Sequence, residues 1–132
     1  MAKELSRRGL IGTLTLKNPR GIYVLVARHA GQSVGIQVTT VYGSRKKWLV
    51  NKAAEAFTDP NFFYVFVNLN NGQSPSYHIV PSVIVAERIA AFHKGWLGGT
   101  KKDGSARKDT DLRWFFDPKS EFLGRWDLLG LE

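Results

Sequence analysis

The chain contains no cysteine, which excludes a disulfide framework and any thiolate-held metal. No apolar run approaches the roughly 20 residues that a membrane-spanning helix needs. Met1 to Gly12 is charged and lacks the apolar core of a secretory signal. We therefore expect a cytoplasmic protein with no membrane association. Internal repeats and low-complexity tracts are missing too, and 132 residues hold one good hydrophobic core. The expectation is a single domain over 1–132. The most informative absence is that of negative charge: between Leu5 and Ala54 there is not one Asp or Glu.

That same stretch carries Arg7, Arg8, Lys17, Arg20, Arg28, Arg45, Lys46, Lys47 and Lys52. From Glu55 onward ten acids face nine bases, so the whole net charge of +8 belongs to the first 54 residues. A one-sided positive field attracts polyanions, of which nucleic acid is the commonest in a cell. The competing reading is a basic surface that only keeps the protein soluble. Apolar residues make up 43% of the chain and include eight Phe, four Trp and four Tyr, enough for a packed interior rather than a disordered one.

Hydrophobic spacing gives a coarse map. Ala2 to Arg8 reads as two helical turns stopped by Gly9. Leu10 to Leu16 alternates as a strand does, and Asn18-Pro19-Arg20-Gly21 turns it. Ile22 to Ala27 is a nearly continuous apolar run, the pattern of a strand buried on both faces. Ala30-Gly31-Gln32 leads at once into Val34 to Thr40, so these two strands should form an antiparallel hairpin. Trp48-Leu49-Val50 is a short strand or a helix lead-in, and Lys52 to Phe57 a turn or two of helix. Phe62 to Leu69 is the strongest strand in the sequence and is expected to be central, ending at Asn70-Asn71-Gly72. Tyr77 to Val80 is another strand. Pro81-Ser82 opens a helix to about Lys94 whose Val83, Val85, Ile89, Ala90 and Phe92 pack on the sheet. Leu97 to Asp111 reads as a mobile exposed loop, and Asp117-Pro118 as the start of a short C-terminal helix. Trp126, Leu128 and Leu129 are expected to close the core. Strands first and helices later describe an α/β (α+β) domain, a mixed sheet with helices packed on it.

Few local motifs carry chemistry. Arg45-Lys46-Lys47-Trp48 sets three cations beside an indole, a combination that can clamp phosphates and stack on a base; equally, Trp48 can fold into the core beneath a solvated basic turn. Lys101, Lys102, Arg107 and Lys108 are interleaved with Asp103, Asp109 and Asp111, which weakens that loop as a polyanion site. His29, His78 and His93 show no metal-ligand spacing, and Ser76, His78 and Asp59 lie in no nucleophile motif. Phe62, Phe63, Tyr64 and Phe66, with valines between them, read as core rather than as a stacking platform.

Three segments taken together resemble a known family. They are Glu4-Leu5-Ser6-Arg7-Arg8-Gly9; Gly21-Ile22-Tyr23-Val24-Leu25-Val26 followed by Gly35-Ile36-Gln37-Val38-Thr39-Thr40; and Phe63-Tyr64-Val65-Phe66-Val67-Asn68-Leu69 with Tyr77-His78-Ile79-Val80-Pro81-Ser82. Their pattern is similar to that of small domains in the restriction-endonuclease-like, PD-(D/E)XK nuclease superfamily, over nearly the whole chain. The resemblance implies a mixed central sheet flanked by helices. It also implies a hairpin with an Asp at the start of one strand and an acidic residue or Gln, then a Lys, on the next. In that superfamily those groups hold Mg²⁺, which activates a water and stabilises charge on the phosphorus oxygens.

Carried over by position, the Asp falls on Tyr23, the Gln on Gln37 and the Lys on Thr39, while Glu4 is the one acid the first helix offers. Gln37 alone is retained, and a phenol is no Mg²⁺ ligand near neutral pH. The expectation is a catalytically degenerate nuclease-like domain, without cofactor, that binds nucleic acid, DNA foremost. Arg20, Arg45, Lys46, Lys47, Trp48 and Lys52 are its candidate contacts. Two alternatives stand beside it: a homodimeric interaction or assembly module with no nucleic-acid role, and a Mg²⁺ nuclease using a migrated carboxylate, Glu4 or Glu55, near Gln37.

Overall fold

The computed structural model describes residues 11–14, 24–29 and 32–130, the first two segments as backbone only. The predicted first helix, with Glu4, lies outside the described residues, as do Arg20 and Tyr23. Seven strands are described: β1 (Ile11–Leu14), β2 (Val24–His29), β3 (Gln32–Val41), β4 (Lys47–Asn51), β5 (Phe62–Asn68), β6 (Ser76–Pro81) and β7 (Leu112–Phe116). Helix α1 (Ser82–Leu97) follows β6, and short 3-10 helices cover Lys52–Glu55, Asn70–Gly72 and Trp126–Leu129. Five strands form one mixed sheet in the order β1-β2-β3-β5-β6, while β4 and β7 pair as a separate two-stranded ribbon.

The expected hairpin is present, with β2 and β3 antiparallel from Val24↔Gln37 to His29↔Gln32. β3 then runs parallel to β5, and a parallel neighbour requires a crossover; residues 42–61, with β4 inside them, make it. β5 lies between β3 and β6. Every residue from Phe63 to Asn68 is buried, which is why this run shows no polar alternation.

The sheet is covered on both sides. Val34, Ile36, Phe63, Val65, Val67 and Ile79 pack beneath Trp126 and Leu129 from the C-terminal 3-10 helix. Tyr64, Phe66 and Val80 face the other way, against Val85 and Ile89 of α1 and Trp48 and Phe115 of the ribbon. Phe66 stacks between Tyr64 and Phe115, with ring centroids 5.8 and 4.7 Å away. At Gly35 the two strands come close: a Cβ there would lie 2.7 Å from the Phe62 ring, so glycine is needed for that approach. The turn after β5 uses Asn70 and Asn71 at positive φ (52° and 57°), followed by Gly72 at 92°, the residue types that tolerate the left-handed region.

Several expectations need correction. Of the two readings of Trp48-Leu49-Val50 the strand holds, as β4, while the helical turn after it, Lys52–Glu55, is 3-10 rather than α-helical. Val83 and Phe92 are exposed, at 46% and 40%, and Ala86 and His93 take inward positions on α1 instead. The segment from Asp117 does not become an α-helix. Its carboxylate accepts the backbone N–H groups of Glu121 and Phe122, yet Ser120 and Gly124 adopt positive φ and bend the chain away. The 97–111 loop is exposed but tied down, since Arg107 donates to the Trp96 carbonyl at 2.7 Å and His93 meets Asp109 at 2.7 Å.

Candidate nucleic-acid interface

Period-two alternation along β3 brings Gln37 and Thr39 onto one face, and the strand register sets them beside Tyr64 and Phe66 of β5. Both are half-buried. Burial pushes the Tyr64 phenol up to about 12, so it stays neutral at physiological pH. An amide, a hydroxyl, a neutral phenol and a phenyl ring supply no anionic oxygen. This donor set does not fit Mg²⁺, a hard cation that takes carboxylates. On the neighbouring strand, the residue directly across from Gln37 is Val24. Among the described residues no three His, Asp or Glu side chains converge as a metal group would. Glu55 is bound instead to Nε of Arg113, a buried guanidinium that also donates to the carbonyls of Thr110 and Leu112 at 2.6 and 3.0 Å.

The basic loop between β3 and β4 is held at both ends. Asn70 and Asn71 donate to the carbonyls of Gly43 and Tyr42 at 3.1 and 2.9 Å, and Asp117 donates its backbone N–H to Lys46 at 3.0 Å. Between these anchors Arg45 and Lys46 are exposed, and among the described residues neither has an ion-pair partner. Lys47 sets its Nζ 4.6 Å above the Trp114 ring. Lys52 pairs with Asp111 at 3.1 Å, both well exposed, so its charge is partly answered already.

Trp48 does not belong to the interface. It is 0% exposed, its ring lies 5.1 Å from Phe66 and 4.9 Å from His78, and its Nε1 donates to the Val67 carbonyl at 3.1 Å. Strand alternation turns it inward, where its N–H finds a partner as a buried indole requires. The exposed ring on this loop is Tyr42, at 65%. The sequence holds a signal for it, an aromatic just past the end of a strand and beside Gly43-Ser44.

The other titratable groups are structural. His78 Nδ1 meets Asp117 Oδ2 at 2.7 Å with both side chains 1% exposed, and Asp117 caps the following turn. Ser76 accepts from Asn70 and Ser82 bonds both backbone groups of Asp59, so Ser76, His78 and Asp59 are not assembled for catalysis. A hydrogen bond from His93, then one from the Thr110 backbone, holds the Asp109 carboxyl below its usual range. A shallow cleft of about 430 Å³ lies between Gln32–Val34, Asn61 and Leu128–Gly130, and its lining has no charged side chain.

The described residues thus define a mixed α/β domain with a rigidly seated basic loop and no helix long and apolar enough to cross a membrane. No family model, curated protein or solved structure matches the chain.

Proposed function

We propose that this chain is a catalytically degenerate, restriction-endonuclease-like domain that binds nucleic acid, DNA foremost, through its basic N-terminal half. The observation that carries the binding role is the pair Arg45 and Lys46. They are exposed, without an ion-pair partner among the described residues, and fixed by backbone bonds on both sides, within a stretch of chain that contains no acid. The β2–β3 hairpin, with Gln37 and Thr39 on one face of a mixed sheet, supports the nuclease-like part of the reading. The neutral donors on that face support its degeneracy.

Fluorescence anisotropy with a labelled DNA duplex tests this over a salt series. Binding should weaken steeply as salt rises, because each neutralised phosphate releases counterions, with a slope of about −0.9 per contact. Arg45→Ala with Lys46→Ala should weaken it further at any one salt concentration. Absence of binding at low salt would end the proposal. Tyr23→Asp with Thr39→Lys probes the lineage, and nicking of a plasmid by that variant in Mg²⁺ would support it.

A further inference from the structure

The β4–β7 ribbon turns only one face inward. Trp48 and Val50 on β4, with Arg113 and Phe115 on β7, are buried. The alternate residues make the outer face, where Leu49 stands opposite Trp114 and Lys47 opposite Phe116. Phe92 of α1 comes up beside Phe116, centroids 4.6 Å apart, and Trp114 lies 6.3 Å from the same ring. Leu49 is 38% and Phe92 40% exposed, while Trp114 and Phe116 are half-buried and show part of their rings to solvent. A contiguous aromatic and apolar face of this kind marks a docking surface.

Charge selects the occupant. Lys47 stands over the Trp114 ring, and Arg45 and Lys46 lead straight into β4. The carboxylates of the neighbouring segments are engaged: Asp111 by Lys52, Glu55 by Arg113, Asp109 by His93, Asp117 by His78. An apolar protein partner would bury Lys47 with no counter-charge, which is costly. A nucleic-acid strand offers flat π faces for the rings and a phosphate for each cation.

We propose that the outer face of the ribbon binds unpaired nucleic acid, with bases stacking on Trp114 and Phe116 while Arg45, Lys46 and Lys47 take the backbone phosphates. This rests on the nucleic-acid reading above and adds the form bound. In a duplex the base faces are hidden, so the rings contribute nothing there and the cations act alone.

The test compares a labelled oligothymidylate with a duplex of equal length, for the native chain, Trp114→Ala and Trp114→Phe. The native chain should prefer the single strand. Trp114→Ala should weaken strand binding by about tenfold or more, in line with base–aromatic stacking, and weaken duplex binding clearly less, since there only the seat of Lys47 changes; Trp114→Phe should keep most of the strand affinity. Thermal unfolding checks that each variant is folded. Photo-crosslinking of a bromouracil strand to the unsubstituted protein needs no variant, and its adducts should map to β7. Adducts confined to other segments, or a Trp114→Ala loss equal for strand and duplex, would overturn the inference and leave nucleic-acid binding standing. Self-association that Trp114→Ala abolishes without touching strand affinity would assign the face to a second copy. Binding of neither probe at low salt would remove both proposals together.

Discussion

Trp48 and Tyr42 sit at opposite ends of one loop and meet opposite environments. Trp48 enters β4 on its inward side and is sealed against Phe66 and His78, whereas Tyr42 follows the last residue of β3 and stays in solvent. Trp48→Ala leaves a cavity and removes the indole bond to the Val67 carbonyl, and urea unfolding should show a loss of about 3–5 kcal/mol. Tyr42→Ala trims a side chain that is 65% exposed, so its effect on the same measurement should stay within about 0.5 kcal/mol. Tyr64 gives a second prediction at this scale. Its folded pKa, about 12 through burial, lies above the ordinary value of 10.0, so the folded state holds the proton more tightly than the unfolded one. Its contribution to stability is therefore fully present below pH 10 and is lost as pH rises from 10 toward 12. Absorbance at 295 nm should show one of the four tyrosines ionising late, together with unfolding, and Tyr64→Phe should abolish that late step.

Among the elements, the ribbon is the one that local pattern concealed. β5, β6 and α1 announce themselves through an unbroken apolar run, a following strand and a helical spacing that Pro81-Ser82 opens. β7 does not: Leu112, Trp114 and Phe116 are apolar on its outer face, and the buried position between the first two is Arg113. Apolar residues thus line both faces and a cation takes one of the two buried positions, beside Phe115, so alternation gives no signal, and the partner strand lies far away in sequence. The chemistry of the hairpin was partly legible, since Gln37 and Thr39 do share a face, but no spacing tells whether a given indole turns in or out. Arg113 holds the ribbon to the 3-10 helix Lys52–Glu55 through Glu55, while its bonds to the Thr110 and Leu112 carbonyls fix the guanidinium locally. Glu55→Gln should leave this 7% exposed guanidinium side chain with Asp109, 3.6 Å away, as its remaining acidic partner among the described residues. The cost should be about 2 kcal/mol, below the roughly 3–5 kcal/mol of a buried charge left with no partner, because Asp109 remains and Glu55 keeps some access to water. Hydrogen exchange should show β4 and β7 opening together, with β3 and β5 still protected.

At the scale of the molecule, the question is whether affinity follows total charge or its placement. The net charge of +8 comes from the first 54 residues, and a purely diffuse attraction would respond equally to any cation removed. The two basic loops separate these cases. Lys101 and Lys102 are followed by Asp103, whose carboxyl is held low by the Ser105 hydroxyl and backbone and so remains ionised beside them. Among the described residues Arg45 and Lys46 have no free carboxylate beside them, since Asp117, bonded by its backbone to Lys46, is taken by His78. Converting either pair to Glu lowers the net charge by the same amount. If placement governs, Arg45→Glu with Lys46→Glu should lower duplex affinity at least tenfold and reduce the magnitude of the salt slope by about 2, one for each lost phosphate contact. Lys101→Glu with Lys102→Glu should change the slope by less than half as much. Equal responses from the two pairs, measured by anisotropy across the same salt series, would show that the field acts as a whole and that the loop before β4 holds no privileged contact.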